Sequence, residues 1–307
     1  MSAVFAILPV VLTLATGYFA RRSGLIAKAD WPAIESLSFR VLIPVMLVSV
    51  IAGTDLRDLA AGPYALALLS AVVAAGLVVL ALSRPLFALG LKRPAFSTLF
   101  QTTTRWNGFI SLALAEQYLP SEGMARIGIA FAILVVPINL VNVAILLVYG
   151  DGKASFRGFF AGIVKNPVVQ GASIGLFLSL SGWTLPAPIL GWLDLIGRAA
   201  LGVGILAIGA GLSGRRLIHL RAPILGALAL RPGLMLILFL AIGTAFGLSN
   251  PELLAGAFVL GVPAASIGFV MARKMGGDAD LYADTITWQL LLSLVALPIL
   301  ARVLSSS

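Results

Sequence analysis

The sequence predicts an all-α polytopic membrane protein whose ten transmembrane helices form two inverted five-helix repeats. Three observations lead to this prediction: the composition, the number of apolar runs and an internal repeat. The 307 residues have a mean hydropathy of +1.06, with 60% hydrophobic and 11% charged residues. Soluble proteins carry about 25% charged residues. Because the strand-like alternation of a barrel is absent, helices are the structure that can satisfy the backbone inside the bilayer.

Ten apolar runs are long enough to cross the bilayer, since a span needs about 20 mostly apolar residues. They lie near 3–20, 36–54, 64–83, 95–117, 125–150, 160–181, 191–213, 231–249, 252–272 and 281–303. The second, fourth and eighth runs each contain or adjoin a charged residue.

The net charge of +9 is distributed as in a membrane protein and not as in a nucleic-acid-binding protein. Most lysines and arginines fall in alternate loops between the runs: Arg21, Arg22, Lys28, Arg84, Lys92, Arg93, Lys153, Arg157, Arg215, Arg216, Arg221, Arg273 and Lys274. Basic loops stay on the cytoplasmic side of a membrane. We therefore expect a multi-pass protein of the inner (plasma) membrane with both termini outside the cytoplasm.

An internal repeat divides the chain into residues 1–150 and 151–307. The segment Pro9–Val11 returns as Pro167–Val169, an offset of 158 residues. Five spans per half is an odd number, so the second copy must enter the membrane from the opposite side. Inverted repeats of this kind are typical of secondary transporters, which bind substrate near the bilayer midplane.

Two of the predicted spans contain corresponding breaks. The fourth carries polar residues through 101–109, and the ninth contains Pro263 between two glycines. Proline removes a helical hydrogen bond and glycine weakens a helix. Unwound backbone at membrane depth lines a cavity or is buried in protein, so paired breaks indicate a substrate site.

The candidate substrate-binding residues lie at these breaks and on the flanking spans five and ten. They are Gln101, Thr103, Arg105, Asn107, Asn139, Asn142, Pro263, Ala265, Ser266 and Gln289. Arg105 stands out, because an intramembrane arginine indicates function and can bind a carboxylate in a bidentate manner. The alternatives for Arg105 are snorkelling and a structural ion pair, for example with Glu116. Asn139 and Asn142 share one helix face, where they either line the pocket or pack.

Other chemistries find little support in the sequence. Asp284 is the candidate proton-coupling carboxylate, near the start of span ten. The chain has no cysteine and one histidine, His219, so we expect no enzyme activity, no metal site and no cofactor.

Several motifs resemble those of bacterial members of the auxin efflux carrier family, related to plant PIN carriers and to malonate and malate permeases. They are Pro263-Ala264, Ala272–Ala279, Thr285–Gln289, Arg105-x-Asn107, Pro137-x-Asn139 with Asn142, and Asn166-Pro167. The resemblance covers essentially the whole chain. PIN carriers have proline at the first break, where this chain has Asn107-Gly108.

The resemblance implies the bile-acid/sodium-symporter-like crossover fold, with a scaffold and a transport domain. The scaffold, from about 1–55 and 157–213, would form a homodimer in the lipid bilayer. The transport domain, from about 64–150 and 222–304, would carry crossing helices 4 and 9. Its elevator-like movement would transport a small organic anion, a mono- or dicarboxylate, with an auxin-like acid as one candidate. The alternatives are a sodium-coupled symporter of bile-acid-transporter type and a channel or sensor of the same fold.

Overall fold

The computed structural model describes residues 3–53, 61–119, 122–151, 166–212 and 220–306. Over these ranges the chain is helical and contains no strand. His219 and the basic loop residues at 152–165 and 213–219 lie outside the described residues.

The helices of the first half are α1 (Ala3–Arg22), α2 (Trp31–Leu37), α3 (Ile43–Ala52), α4 (Ala61–Ala81), α5 (Ser83–Ala88), α6 (Arg93–Thr104), α7 (Gly108–Tyr118) and α8 (Glu122–Tyr149). Those of the second half are α9 (Pro167–Ser181), α10 (Ala187–Gly211), α11 (Ala222–Leu228), α12 (Met235–Ala245), α13 (Asn250–Leu260), α14 (Ile267–Met275) and α15 (Ala279–Ser306). The π-helical segment Ser38–Leu42 joins α2 to α3, and Ala229–Leu234 joins α11 to α12 with a non-helical kink at Arg231.

Within the described residues, six stretches are long and apolar enough to cross a membrane. They are Trp31–Ala52, Gly62–Ala88, Ala125–Tyr149, Ala187–Gly211, Ala222–Ala245 and Ala279–Leu304. The chain is therefore a multi-pass membrane protein. The other four predicted spans contain α1, α9 and two pairs of half-length helices, α6 with α7 and α13 with α14. The ten-span inverted repeat stays a prediction.

The helices pack in two groups. The scaffold group contains α1, α3, α9 and α10, in which α3 packs on α9 and on α10, and α1 packs on α10. The other group contains α4, α6–α8 and α11–α15, which pack around α6, α8 and α13; it is called the mobile group because it corresponds to the predicted transport domain. The groups meet where α3 and α9 contact α8, where α1 and α10 contact α7 and where α1 contacts α15.

Close backbone contact holds α1 against α10. A Cβ atom added at Gly17 would overlap the backbone of Leu206, and one added at Gly209 would overlap the backbone of Leu14. Small residues let membrane helices approach closely enough for extensive van der Waals contact. The glycines on both helices therefore make the contact between α1 and α10 close.

We expect Gly209→Ala to destabilise the protein by about 1–3 kcal/mol, the usual effect of overfilling a tight contact. Thermal unfolding of the purified protein in detergent would measure this. Gly202→Ala on the same helix is the matched control, because a Cβ at Gly202 meets no atom within 4 Å. Equal unfolding temperatures for the two variants would contradict the proposed contact.

Candidate functional site

The first break separates α6 from α7 at Arg105–Asn107. Arg105 ends α6 in an extended conformation, with φ −74° and ψ 153°. The Asn107 side chain then starts α7, because its Oδ1 accepts hydrogen bonds from the backbone N–H groups of Phe109 (3.1 Å) and Ile110 (3.3 Å). An asparagine at this position is a favoured N-cap. The sequence Arg-Trp-Asn-Gly thus ends one half-helix and begins the next.

The second break separates α13 from α14 at 261–266 and touches the first. The backbone N–H of Asn107 donates to the carbonyl oxygen of Pro263 at 2.9 Å. Gln289 on α15 joins the two breaks, because its Oε1 accepts from the N–H of Ala264 (3.0 Å) and its Nε2 donates to the carbonyl of Thr102 (3.0 Å). The breaks leave backbone N–H and C=O groups without helical partners. Some of these groups form hydrogen bonds across the contact between the two breaks.

A cavity of about 1070 Å³ lies between the scaffold group and the mobile group, beside both breaks. Its polar lining includes Arg105, Asn107, Asn139, Asn166 and Ser266. Most of the remaining wall is apolar or aromatic: Phe39, Ile43, Met46, Trp106, Phe109, Phe131, Val135, Ile138, Val143, Val168, Ile208, Ile267, Val270, Met271 and Met275.

The N-terminal ends of two half-helices border this cavity. Gly108 and Phe109 begin α7, and Ile267 begins α14, and all three line the wall. The first N–H groups of a helix lack intrahelical acceptors and carry partial positive charge. This end of each half-helix therefore favours an anion in the cavity.

Arg105 is buried at the cavity wall with a side chain that contacts only uncharged acceptors among the described residues. It is 3% exposed. Its guanidinium donates to Asn139 Oδ1 (2.9 Å), to Gln101 Oε1 (3.3 Å) and to Met271 Sδ (3.0 Å). A buried charge without a counter-charge is unfavourable, so an anion bound beside Arg105 would relieve an existing electrostatic cost.

The predicted site residues divide into those that reach the cavity and those that hold the breaks. Arg105, Asn107, Asn139, Ala265 and Ser266 line the cavity. The others lie behind the wall: Gln101, Thr103, Asn142, Pro263 and Gln289.

The residues behind the wall have packing or supporting roles. Asn142 pairs with Thr104, with Nδ2 to Oγ1 at 2.9 Å, and is fully buried. The Thr103 hydroxyl donates to the carbonyl of Leu99 at 2.8 Å within its own helix. Gln101 holds the Arg105 side chain, as described above. Asn139 and Asn142, which share a helix face, thus serve different purposes.

Asp284 lies away from the cavity wall. Its carboxylate forms an ion pair with Arg221 at 2.7 Å and is buried. The pair joins the start of α15 to the start of α11. A coupling role for Asp284 stays a prediction.

A family comparison matches residues 157–301 to a model described as membrane transport protein, which represents the auxin efflux carrier family. Over these residues the chain is similar to the auxin efflux carrier family. The resemblance found in the sequence is confirmed over these residues, and the chain is a membrane transporter. No curated protein matches the chain.

Two charged residues of this membrane transporter line the cavity without having been predicted there. They are Glu35 on α2 and Lys274 near the end of α14. Both are surface residues at the end of the cavity nearest the basic loops. Each looks in the sequence like an ordinary solvated charge, and only the packing of α2 against the end of the cavity brings them to its mouth.

The sequence interpretation also missed Arg231 and Tyr282 at the breaks. Arg231 is completely buried. The Tyr282 hydroxyl donates to the carbonyl of Ala265 at 2.7 Å and so holds the second break. An arginine followed by Pro232-Gly233 inside an apolar run was a usable signal for a third interruption, whereas a tyrosine one turn into a helix carries no such signal.

Proposed function

We propose that this transporter carries a small organic anion, with a monocarboxylate that has an apolar body as the best-fitting class. It would work as a secondary active or facilitative carrier with ten spans in two inverted repeats. The observation that carries the proposal is the buried Arg105 guanidinium, which faces a cavity and pairs with neutral groups alone among the described residues.

Three positive contributions converge on the same part of the cavity. Arg105 supplies a full charge, and the N-terminal ends of α7 and α14 supply partial charges. Half-helix N-termini that point at anionic groups of a substrate are a recurring device of transporters with broken helices. Asn139 and Ser266 add polar groups that could orient a bound carboxylate.

The remaining wall favours an apolar substrate body. Trp106 and Phe131 lie in contact, with ring centroids 4.5 Å apart, and line the cavity beside Phe39 and Val135. A second carboxylate would have to be desolvated against these side chains, because the other lining cation, Lys274, lies at the mouth. An auxin-like acid fits this class better than a compact dicarboxylate.

The packing supports an elevator-type mechanism. The cavity separates two groups of helices that are each packed internally, so that one group can slide past the other with the site attached. Its mouth lies beside Lys274 and Asn166, next to the basic loops, which the distribution of charge assigns to the cytoplasm. We therefore interpret the conformation as open to the cytoplasm. The exposed apolar residues Phe177, Trp192 and Leu195 on the scaffold group offer a surface to lipid or to a second copy.

A ligand-binding experiment tests the anion assignment. Thermal unfolding of the purified protein would be measured with phenylacetate, indole-3-acetate, malonate and the neutral isostere phenylacetamide. A ligand that binds the native state raises its apparent stability, so we expect the aromatic monocarboxylates to stabilise the protein most and phenylacetamide to have no effect. A panel in which only neutral or cationic compounds stabilise would overturn the assignment.

Uptake into proteoliposomes then separates a carrier from a channel. A carrier predicts a rate that saturates with the concentration of the stabilising carboxylate. A conductance that rises in proportion to concentration would instead favour the channel alternative.

A further inference from the structure

Arg231 is a fully buried arginine whose guanidinium binds three backbone carbonyls. Its Nε donates to Val262 (2.8 Å), its Nη1 to Thr103 (3.0 Å) and its Nη2 to Val259 (2.9 Å). The side chain is 0% exposed. Among the described residues no carboxylate pairs with it.

These carbonyls belong to the C-terminal ends of two half-helices. Thr103 lies in the last turn of α6, Val259 lies in the last turn of α13, and Val262 follows α13 in the break. The last carbonyls of a helix lack intrahelical donors and carry partial negative charge. Two such ends that converge on one point produce a strongly negative site inside the membrane domain.

The local sequence explains why an arginine can reach this point. Pro232 disfavours the helical conformation at the residue before it, and Arg231 is extended, with φ −139° and ψ 125°. The interruption lies between α11 and α12, at the level of the other two breaks. Gln289 completes the arrangement, because its Nε2 also lies 3.4 Å from the carbonyl oxygen of Arg231.

Carbonyl oxygens at half-helix C-termini are the groups that coordinate sodium in transporters with broken helices. We infer that the guanidinium of Arg231 permanently occupies a cation site where the carbonyl ends of α6 and α13 meet, so that the carrier needs no alkali-metal ion there. The inference bears on ion coupling in the proposed transport function, and it names the protein's own side chain as the resident cation.

The two buried arginines consequently have different electrostatic tasks. Arg231 lies at the carbonyl ends of α6 and α13, which balance its charge. The Arg105 backbone follows α6, but its guanidinium donates to uncharged side-chain acceptors on the cavity wall, which leaves its charge available to an anion. The contact between the two breaks thus contains one arginine whose charge is neutralised by carbonyls and one arginine whose charge can bind an anionic substrate.

The first arm of the test uses the wild-type protein. Its unfolding temperature, measured without substrate, should be the same in NaCl, KCl and choline chloride at equal ionic strength. Uptake of the stabilising carboxylate should likewise proceed at the same rate with Na⁺ or choline outside. An unfolding temperature or an uptake rate that rises selectively and saturably with Na⁺ would overturn the inference.

The second arm removes the guanidinium with Arg231→Ala. This variant should unfold at a lower temperature in choline chloride and should recover stability saturably in NaCl, because the vacated carbonyls become available to Na⁺. Arg105→Ala is the matched control. It removes a buried arginine that donates to side chains and frees no backbone carbonyl for Na⁺, so it should show no sodium response. A folded Arg231→Ala protein that is indifferent to the cation would overturn the inference.

Arg231→Lys covers the case in which the alanine variant does not fold. Lysine retains the cation but places a single ammonium among the carbonyls, so this variant should be less stable than the wild type and still indifferent to Na⁺. Sodium-dependent stability of Arg231→Lys would contradict the inference. Because the stability measurements need no substrate, their outcome is independent of whether the carboxylate panel succeeds.

Discussion

Arg105→Gln should weaken binding of the transported carboxylate by about 2–5 kcal/mol, the usual effect of truncating one partner of a buried charge pair. This corresponds to a loss of roughly 30-fold or more in affinity. Glutamine removes the charge and the planar pair of donors while it keeps a polar side chain. Arg105→Lys should lose less, because it retains the charge without the bidentate geometry.

The same substitution should leave the unliganded protein folded and at least as stable as the wild type. The Arg105 guanidinium is buried against the neutral acceptors Asn139, Gln101 and Met271, and removal of an uncompensated buried charge relieves a desolvation cost. Unfolding temperatures with and without ligand measure both effects in one experiment. A loss of binding together with normal unliganded stability therefore distinguishes an anion-binding role from a structural one.

Arg198→Gln is the matched control for Arg105→Gln. Arg198 lies on α10 with its side chain 80% exposed and paired with Asp194, so its removal should leave carboxylate binding unchanged. If Arg105→Gln and Arg105→Lys both keep wild-type affinity and the preference for carboxylate over amide, the anion-binding role of Arg105 is wrong.

A disulfide between the two helix groups should stop transport almost completely. The chain has no cysteine, so introduced pairs react only with each other. A Cβ atom at Gly128 on α8 would lie 3.2 Å from Cγ1 of Val50 on α3. Oxidation of a Val50→Cys/Gly128→Cys variant should therefore link the mobile group to the scaffold group and abolish uptake, and a reductant should restore it.

A second disulfide within the scaffold group provides the control. A Cβ atom at Gly197 on α10 would lie 3.5 Å from the Cβ of Met46 on α3, a separation that suits a disulfide. The Met46→Cys/Gly197→Cys variant changes a side chain of the cavity wall, so its oxidised form is compared with its own reduced form, and the two should transport at the same rate because both helices belong to the scaffold group. Normal uptake by the cross-linked Val50→Cys/Gly128→Cys protein would contradict the elevator-type mechanism.

The positions of the two breaks were predictable because they violate the rule for a lipid-facing helix. Polar residues at 101–107 and the Gly-x-Pro segment at 261–263 cannot form a regular span without a reason in function or packing. Arg105 was recognisable as a candidate for the same reason, since a charge at this depth is costly and indicates a functional residue. These signals are local in the sequence, and each is visible in one apolar run taken alone.

The roles of Gln289, Asn142 and Arg231 were not predictable in this way. Gln289 was expected in the binding site, but it joins the two breaks behind the cavity wall. Asn139 and Asn142 were expected either to line the pocket or to pack, and Asn139 lines the cavity whereas Asn142 pairs with Thr104. The partners of these side chains come from helices far away in the sequence, so only the packing determines whether a polar group faces a cavity or a backbone carbonyl.

The amino-acid sequence alone predicts a helical, multi-pass membrane protein with paired breaks and a cationic side chain at one of them. Hydropathy, proline and buried charge are sufficient for that, because the bilayer penalises every unsatisfied polar group in the same way. Only the packing of the helices shows which charge is balanced. Arg231 binds carbonyls at the ends of α6 and α13 and is neutralised there, whereas Arg105 lies beside a cavity that the amide ends of α7 and α14 also line. The difference depends on which groups surround each guanidinium. These groups come together only when the helices pack.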